Sequence, residues 1–420
     1  MTTRPCTFLL AGLLFLGEAS PSRAQPDEAA APAKPLKVFI LAGQSNMQGH
    51  AKVSTFDDLA SDPKTAPLLE EMRDGAGEPV VNDRVWITSV GCLGNAYDDL
   101  SEQTGNLTAG FGAGGKDTIG PEFTFGLTVQ KRLNEPVLII KTSWGGRSLH
   151  TDFRPPSGGP FVLAEETQRL WDENPDGAHG IPKVEDRPKY WAEKSAATGV
   201  YYREMISHTK MVLEDIKRVV PDYDERQGYE LAGFVWFQGF NDLVDGGVYP
   251  NQGKDGGYDL YADLLGHFIR DVRKDLSAPR LPFVIGVMGI DGLKGDTRGS
   301  MMHFRQAQRK PATLDEFEGN VVAVETAPFW DDALEAFVER KERVYGKLEE
   351  GFRSANPMPT EPEKEAAREV ALEKEFTPEE LKRLQTGVSN GGYHYLGAAK
   401  ILAPIGKAFA EALVEINAAK

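Results

Sequence analysis

The sequence predicts an α/β fold with a parallel sheet covered by helices on both faces. Short apolar runs rich in Val, Ile and Phe occur at residues 37–41, 136–143 and 231–237, as in strands buried on both faces. Helical patterns separate these runs, and each run ends in glycine and polar residues. Strands that alternate with helices in this way favour right-handed crossovers in one parallel sheet.

The other elements follow from the same patterns. A helix begins at Gly120-Pro121-Glu122, with proline at an early position and Phe123, Leu127 and Leu133 spaced along it. Further helices are expected over 194–219, 258–276, 301–309 and 395–416, and further strands over 84–90, 281–288 and 320–325. Residues 95–116 are rich in glycine and are expected to form an irregular loop.

The first 35 residues are expected to lie outside the folded domain. Arg4 precedes an apolar run at 8–16, and Ser22-Arg23-Ala24 resembles a cleavage site, so residues 1–24 are expected to be a signal peptide for export to the periplasm or the medium. The run is too short to span a bilayer. Residues 25–35, rich in Ala and Pro, are expected to be a disordered linker.

One domain is then expected over residues 36–420, with two insertions. The segment 151–193 is rich in Pro, Gly and aromatic residues. The segment 331–384 is dense in Glu, Lys and Arg and is expected to form a helical hairpin with a solvated surface. A partner-binding role for that hairpin is the less favoured interpretation.

The composition limits the partners. The 420 residues carry a formal net charge of −16, which argues against binding to nucleic acid or anionic lipid and leaves neutral sugars or small esters. Signal cleavage would remove Cys6 and leave Cys92, so no intramolecular disulfide is expected. His50, His150 and His208 lack the spacing of metal ligands, so we expect neither a metal nor another cofactor.

A serine follows the first predicted strand, in the sequence KVFILAGQSNMQG at residues 37–49. Ligands of open α/β sheets bind at the carboxyl ends of the strands. Ser45 therefore has the position of a nucleophile that also contributes its N–H to an oxyanion hole. Capping of the next helix is an equally good interpretation of this stretch alone.

A histidine near the end of the chain supplies a possible base. His394 lies in a glycine-rich loop before the last helix, and Asn241-Asp242 follow a middle strand. An early serine with a late histidine is compatible with a catalytic pair, because such sites are defined by geometry and not by sequence order. A surface loop histidine is the alternative interpretation.

Five motifs together resemble the SGNH hydrolases, in the branch of the sialate O-acetylesterases and the acetylxylan esterases of carbohydrate esterase family 6. They are GQSNM at 43–47, GPE at 120–122, SWGG at 143–146, WFQG at 236–239 and HYLG at 394–397. The resemblance implies a flavodoxin-like three-layer sandwich with a five-stranded parallel sheet. It also implies removal of acetyl groups from carbohydrate, a substrate that composition alone does not indicate.

The resemblance also implies roles for single residues. Ser45 would be the nucleophile and His394 the general base. The oxyanion hole would combine the N–H groups of Ser45 and Gly120 with a side-chain amide from Gln238 or Asn241, with Gln238 preferred. Gly145 and Gly146 are alternatives to Gly120. Candidate substrate contacts are Gln44, Asn46, Trp144, Arg147 and the aromatics near Phe153. For Trp144, Arg147 and these aromatics, packing of the insertion against the body of the domain is the favoured alternative.

Two departures from the family pattern concern the acid that orients the histidine. The aspartate expected three residues before His394 is replaced by Gly391, preceded by Asn390, and a glutamate common after the WxQG glycine is replaced by Phe240. We predict that Asp242 takes the missing place, with Glu325 as an alternative. A Ser-His dyad held by a backbone carbonyl is a further alternative.

These departures leave rival functions open. The chain could be a catalytically weak or inactive carbohydrate-binding relative, or a serine hydrolase acting on another ester. The sequence gives no prediction of the sugar, of the acetyl position or of the oligomeric state.

Overall fold

The computed structural model describes residues 1–2, 34–93, 100–178, 180–297 and 299–419. Almost all of the predicted signal peptide and most of the predicted linker lie outside these residues. From Pro35 onward the chain forms one compact unit. No helix within the described residues is long and apolar enough to cross a membrane.

The strands within the described residues are β1 (Leu36–Gly43), β2 (Ala51–Lys52), β3 (Asn82–Val90), β4 (Glu102–Leu107), β5 (Thr118–Ile119), β6 (Val137–Ser143), β7 (Tyr229–Phe237), β8 (Phe283–Val287) and β9 (Val321–Glu325). Seven of them form a central sheet in the order β4-β3-β6-β1-β7-β8-β9. All neighbouring strands of this sheet are parallel except the edge pair β3–β4. The short strands β2 and β5 form a separate antiparallel pair.

The helices connect and cover these strands. Their bounds are α1 (Ser45–Gln48), α2 (Ala66–Met72), α3 (Glu122–Leu133), α4 (Glu165–Glu173), α5 (Arg187–Ala197), α6 (Val200–Glu214), α7 (Phe240–Leu243), α8 (Asp259–Asp275), α9 (Gly299–Arg309), α10 (Asp332–Ser354), α11 (Glu361–Glu375), α12 (Pro378–Gly387) and α13 (Ala399–Ala418).

Helices cover the sheet on both faces, as the alternation along β7 shows. Phe234 and Trp236 contact Phe268 of α8, whereas Phe237 contacts Phe409 of α13 on the opposite face. Successive strand residues point to opposite faces, so one strand supplies both layers of the core. The predicted α/β class with a largely parallel sheet is therefore confirmed.

Three details differ from the sequence-based expectations. The sheet has seven strands within the described residues, whereas the resemblance implied five. One of the additional strands, β4, lies where an irregular loop was expected. The late charged segment contains the three helices α10–α12 and not a two-helix hairpin, and the earlier insertion contains α4 and part of α5.

The order of the strands makes β1 a topological switch point, where the chain changes the side of the sheet to which it adds strands. The chain places β3 and β6 on one side of β1 and then β7, β8 and β9 on the other. Crevices for ligands form at such a switch point, beyond the carboxyl ends of the strands. The residues that follow β1 therefore lie where the fold itself favours a binding site.

Candidate active site

Ser45 lies directly beyond β1 and is the first residue of the short helix α1. It is 8% exposed. A Cβ atom on Gly43 would lie 2.1 Å from the Phe237 carbonyl oxygen, so glycine is needed where the ends of β1 and β7 meet. The chain thus brings Ser45 to the carboxyl edge of the sheet at its central strand.

The far end of α1 is held in place by close backbone contacts. Gly49 has a φ of +82°, and a Cβ atom there would lie 1.9 Å from the Cα atom of Gly120. Lys141 of β6 donates from Nζ to the Gln48 carbonyl oxygen at 2.8 Å. Together these contacts fix α1 against the sheet and against the loop that begins α3.

The same lysine forms a fully buried ion pair. Lys141 Nζ lies 2.7 Å from Glu122 Oε2, and neither side chain is exposed. Glu122 also accepts, through Oε1, the N–H of Gly120 at 2.8 Å. That N–H is therefore already engaged in this structure, which weighs against Gly120 as the second oxyanion donor.

His394 lies in a kinked turn, Gly392–Gly397, that contacts α1. The two following residues, Tyr395 and Leu396, have φ values of +54° and +59°, in the left-handed region that is unfavourable for such side chains. The Tyr395 hydroxyl accepts the N–H of Gly289 at 2.8 Å and so anchors the turn to the end of β8. Unfavourable backbone held by buried contacts is typical of functional sites.

The partner of His394 is Asn390. His394 Nδ1 lies 3.0 Å from Asn390 Oδ1, and the Gly391 N–H donates to the same oxygen at 2.8 Å. The ring of His50 stacks on the His394 ring with the centroids 3.7 Å apart and an interplanar angle of 4°. An amide oxygen thus occupies the place of the carboxylate that the sequence comparison led us to expect.

Both stacked rings are neutral over most of the pH range. Burial lowers the pKa of His394 from its usual value near 6.5 to about 4. Burial, followed by the nearby His394 and Lys141, lowers the pKa of His50 to about 3. A neutral imidazole can accept a proton, so His394 has the protonation state that a general base requires.

Asp242, the predicted orienting acid, binds a different histidine. Its carboxylate accepts from His150 Nδ1 at 3.0 Å, the N–H groups of Leu149 and His150, Gln238 Nε2 and the Tyr249 hydroxyl. Burial alone would raise the pKa of Asp242, but the hydrogen bonds, first that from His150, outweigh burial and hold the pKa below the usual value. The alternative acid, Glu325, pairs with Arg309 at 2.6 Å.

The two side-chain amides predicted for the oxyanion hole, Gln238 and Asn241, differ in the hydrogen bonds that they already make. Gln238 Nε2 donates to the Arg147 carbonyl oxygen at 3.0 Å and to Asp242 at 2.7 Å, which uses both of its protons. Asn241 is half-buried, and its N–H lies 3.5 Å from Gln44 Oε1. Within the described residues, the buried atoms Gln44 Nε2 and Asn46 Oδ1 have no hydrogen-bond partner.

The aromatic and basic residues expected to contact substrate belong mostly to the core. Trp144 is 1% exposed and packs on Phe153 and Tyr201. Arg147 lies 4.3 Å from the centre of the Tyr201 ring and 3.4 Å from Asp152. These contacts attach the first insertion to the sheet, so Trp144 has no face free for a sugar.

A different aromatic pair lies beside His394. Tyr393 is 52% exposed, and its ring centroid is 4.4 Å from that of His394. Phe240, which replaces the glutamate of the family pattern, lies 6.1 Å from Tyr393 between ring centroids. The motif pattern identifies Phe240 only as the replacement of an acid, and it gives no indication of a role for Tyr393.

Sequence reasoning also missed the roles of Asn390 and His50. The motif pattern identifies Asn390 only as a residue that is not an acid, and His50 only as a residue without the spacing of a metal ligand. The spacing of four residues between Asn390 and His394 within a glycine-rich loop could have suggested a contact. Nothing in the sequence indicates that His50 stacks on His394. Within the described residues, no group of three or more His, Cys, Asp or Glu side chains is placed to hold a metal ion.

Comparison with known proteins gives one family and two structures. The family described as carbohydrate esterase, sialic acid-specific acetylesterase, matches residues 35–172 and 182–333. A protein from Arabidopsis thaliana is similar at 19% identity over 70% of this chain and 86% of its own, with a TM-score of 0.37. A carbohydrate acetylesterase from Xanthomonas citri is similar at 15% identity over 70% of this chain and 51% of its own, with a TM-score of 0.38.

No curated protein matches the chain. The family match includes Ser45 and ends before His394. The predicted resemblance to the sialate O-acetylesterase type is confirmed. This chain belongs to the sialic acid-specific acetylesterase family of carbohydrate esterases and is a carboxylic ester hydrolase.

Proposed function

We propose that this protein is an SGNH-type esterase that removes O-acetyl groups from carbohydrate, with Ser45 as nucleophile and His394 as general base. The observation that carries the proposal is the packing of α1, which begins at Ser45, against the turn that holds His394. Ser45 follows β1 at the switch point of the sheet, and the family supports ester hydrolysis.

The pairing of His394 with Asn390 sets the direction of proton transfer. Since Asn390 offers an oxygen, His394 carries its proton on Nδ1 and keeps a lone pair on Nε2. In the proposed reaction the Ser45 hydroxyl attacks the acetyl carbonyl carbon while Nε2 takes the hydroxyl proton. His394 then returns that proton to the departing sugar oxygen, which leaves an acetyl-enzyme.

Water completes the cycle in the same geometry. His394 takes a proton from water as the oxygen attacks the acetyl-enzyme, and acetate leaves as Ser45 recovers its proton. Asn390 cannot neutralise the imidazolium as a carboxylate would, so its contribution is to fix the tautomer and the orientation of the ring.

For the oxyanion hole we propose the Ser45 N–H and the Asn241 side-chain amide. Gln238 is disfavoured because both of its amide protons are engaged, and the Gly120 N–H is engaged by Glu122. Gly145 stays a candidate for a further donor. Loss of one such donor typically raises the barrier by about 2.7–4 kcal/mol.

For the sugar we propose a contact with the aromatic face of Tyr393, supported by Phe240. Tyr393 is exposed and adjoins the ring of the proposed base. Flat aromatic surfaces bind the apolar faces of sugar rings by burial of both surfaces. Gln44 and Asn46 flank Ser45 and hold polar atoms that lack partners within the described residues, so we propose that they bind the acetyl group or the neighbouring hydroxyls.

We also propose that the protein is exported, because an apolar run and a small-x-small sequence occur in its first 24 residues. Residues 36–420 would then be the esterase domain, with the insertions near 151–193 and 331–384. Detection of the mature N-terminus by mass spectrometry of the exported protein tests this assignment.

A serine-directed fluorophosphonate tests the nucleophile without assuming a substrate. We expect labelling at Ser45, mapped by mass spectrometry, and loss of labelling in Ser45→Ala. Ser157→Ala is the matched control, because Ser157 Oγ also lies close to a histidine, 2.8 Å from His267 Nδ1, but far from these motifs in sequence. Labelling that persists in Ser45→Ala would exclude Ser45 as the nucleophile.

Acetate release from O-acetylated sialic acid and from acetylated xylan separates the substrates. Turnover of either by the wild type, with loss in Ser45→Ala, supports a carbohydrate acetylesterase. Hydrolysis of simple acetate esters alone would favour a different ester substrate. Binding of sugars without any hydrolysis would favour the carbohydrate-binding alternative.

A further inference from the structure

His50 is tied to the His394 loop by backbone, amide and ring contacts. Its ring stacks on His394, as described above. Its Nδ1 atom lies 3.3 Å from Asn390 Nδ2, and its carbonyl oxygen accepts from the Ser389 hydroxyl at 3.0 Å. One residue therefore contacts both members of the His394–Asn390 pair.

The Gly391 N–H makes the orientation of the Asn390 amide unambiguous. A backbone N–H can only donate, so the Asn390 atom 2.8 Å from it is the carbonyl oxygen. The amide NH₂ then faces His50, whose Nδ1 must accept. His394, facing the oxygen, must donate from Nδ1. The two histidines therefore have opposite tautomers, and Asn390 joins them.

We propose that His50 is a positioning residue that holds the Asn390 amide with its oxygen toward His394 and keeps the His394 ring in plane. The proposal rests on the esterase function proposed above. A carboxylate at position 390 would have two equivalent oxygens and would need no such control. An amide has one accepting oxygen and one donating NH₂ group. Rotation of the amide by about 180°, a flip, would therefore place the NH₂ group against His394 Nδ1.

That flip would select the tautomer with the proton on Nε2, where the lone pair is needed to accept the Ser45 proton. The wrong tautomer in a Ser-His-Asp triad lowers turnover by about ten-thousand-fold. The Gly391 N–H also opposes the flip, so loss of His50 alone is expected to lower kcat by roughly tenfold, the equivalent of one ordinary hydrogen bond.

Two substitutions separate the functions of the His50 side chain. His50→Phe keeps a ring for stacking but removes the acceptor for Asn390, and His50→Asn keeps an acceptor near the Nδ1 position but removes the ring. We expect His50→Phe to lower kcat with KM unchanged, and His50→Asn to recover part of the loss. His303→Phe on α9 is the control for a histidine-to-phenylalanine change away from the site.

A second background tests the mechanism of the effect. In Asn390→Asp the orientation no longer matters, so adding His50→Phe should change kcat by less than about twofold, within ordinary non-additivity. An equal loss of kcat on adding His50→Phe to the wild type and to Asn390→Asp would overturn the proposal. So would a His50→Phe variant with the kcat of the wild type.

The ring nitrogens give a readout that needs no activity. In ¹⁵N-labelled protein, correlation spectra of the imidazoles should show protonated Nδ1 for His394 and unprotonated Nδ1 for His50. In His50→Phe the His394 signals should move toward the Nε2-protonated form. An unchanged His394 tautomer in folded His50→Phe would overturn the proposal, whereas a wild type with this tautomer pair but without esterase activity would contradict only the proposed function.

Discussion

Two histidines of this protein make the same kind of hydrogen bond but differ in the partner that they contact and in their exposure. His150 and His394 each place Nδ1 3.0 Å from a side-chain oxygen, of Asp242 and of Asn390 respectively. His150 is 2% exposed, and its partner Asp242 is fully buried. His394 is half-buried, and its neighbour Tyr393 is largely exposed.

If the proposed assignment is right, a buried histidine–aspartate pair does not by itself indicate catalysis. Asp242 accepts hydrogen bonds from the segment after β6, through the N–H of Leu149, and from the segment after α7, through the Tyr249 hydroxyl. A buried carboxylate is tolerated when its oxygens are satisfied in this way. The His150–Asp242 pair joins the segment just before the first insertion to α7, whereas the His394–Asn390 pair is the one that we propose to act on substrate.

The largest expected effect is on activity, from substitution of His394. His394→Ala should lower kcat/KM by at least about a thousandfold, because it removes the proton acceptor. Its free energy of unfolding should change little, since the ring is half-buried. Steady-state kinetics and urea unfolding of the same preparation measure both quantities.

His150→Ala is the matched control. It should lower the free energy of unfolding and leave kcat/KM of the folded protein nearly unchanged. Near-normal activity in folded His394→Ala, combined with lost activity in folded His150→Ala, would reverse the assignment of the two pairs.

The next largest effect is on stability, from Asp242→Ala. Removal of one partner from a buried charged network typically lowers the free energy of unfolding by about 3–5 kcal/mol, because the remaining donors lose their acceptor. Denaturant unfolding followed by fluorescence measures this change. A variant as stable as the wild type but without activity would return Asp242 to the catalytic role predicted from the sequence.

The sequence predicted the sheet well where strands are buried on both faces. The runs at 37–41, 136–143 and 231–237 are continuous and apolar, and β1, β6 and β7 occupy them. The edge strand β4 has the sequence EQTGNL, with half-exposed polar residues and a glycine. A strand of this kind gains its hydrogen bonds from β3 and carries no hydrophobic pattern of its own.

The site was predictable in its motifs but not in its partners. Ser45 and His394 lie on adjacent packed elements, as their motifs suggested. The partner of His394 depends on the left-handed backbone at Tyr395 and Leu396, which folds the loop back on itself. The spacing of residues along the sequence does not show such a turn, so the sequence identifies Asn390 only as a residue that is not an acid.

A smaller effect is expected on pH dependence, from Asn390→Asp. The wild type should lose kcat/KM as the pH falls through about 4, where His394 becomes protonated and can no longer accept a proton. A carboxylate at 390 stabilises the imidazolium, so the pKa of His394 and the acid limb of the profile should move upward.

The profile of kcat/KM against pH, recorded with one substrate for both proteins, measures this shift. Asn390→Asp gives His394 a carboxylate partner of the type that His150 already has. An upward shift of the acid limb would therefore show how the two partners, amide and carboxylate, differ in their effect on the imidazole. Identical acid limbs in wild type and Asn390→Asp would mean that residue 390 does not act on the catalytic base.

The smallest effect is expected from Tyr393→Ala, on the exposed side of the His394 environment. Aromatic contacts contribute roughly 0.5–1.5 kcal/mol beyond the area that they bury, so KM for an acetylated sugar should rise about two- to thirteenfold. KM for ethyl acetate, which has no ring to stack, should stay unchanged. Tyr229→Ala, at a tyrosine that is 42% exposed at the start of β7, is the control. Equal effects on both esters would assign Tyr393 to support of His394, because only a sugar contact discriminates between the two substrates.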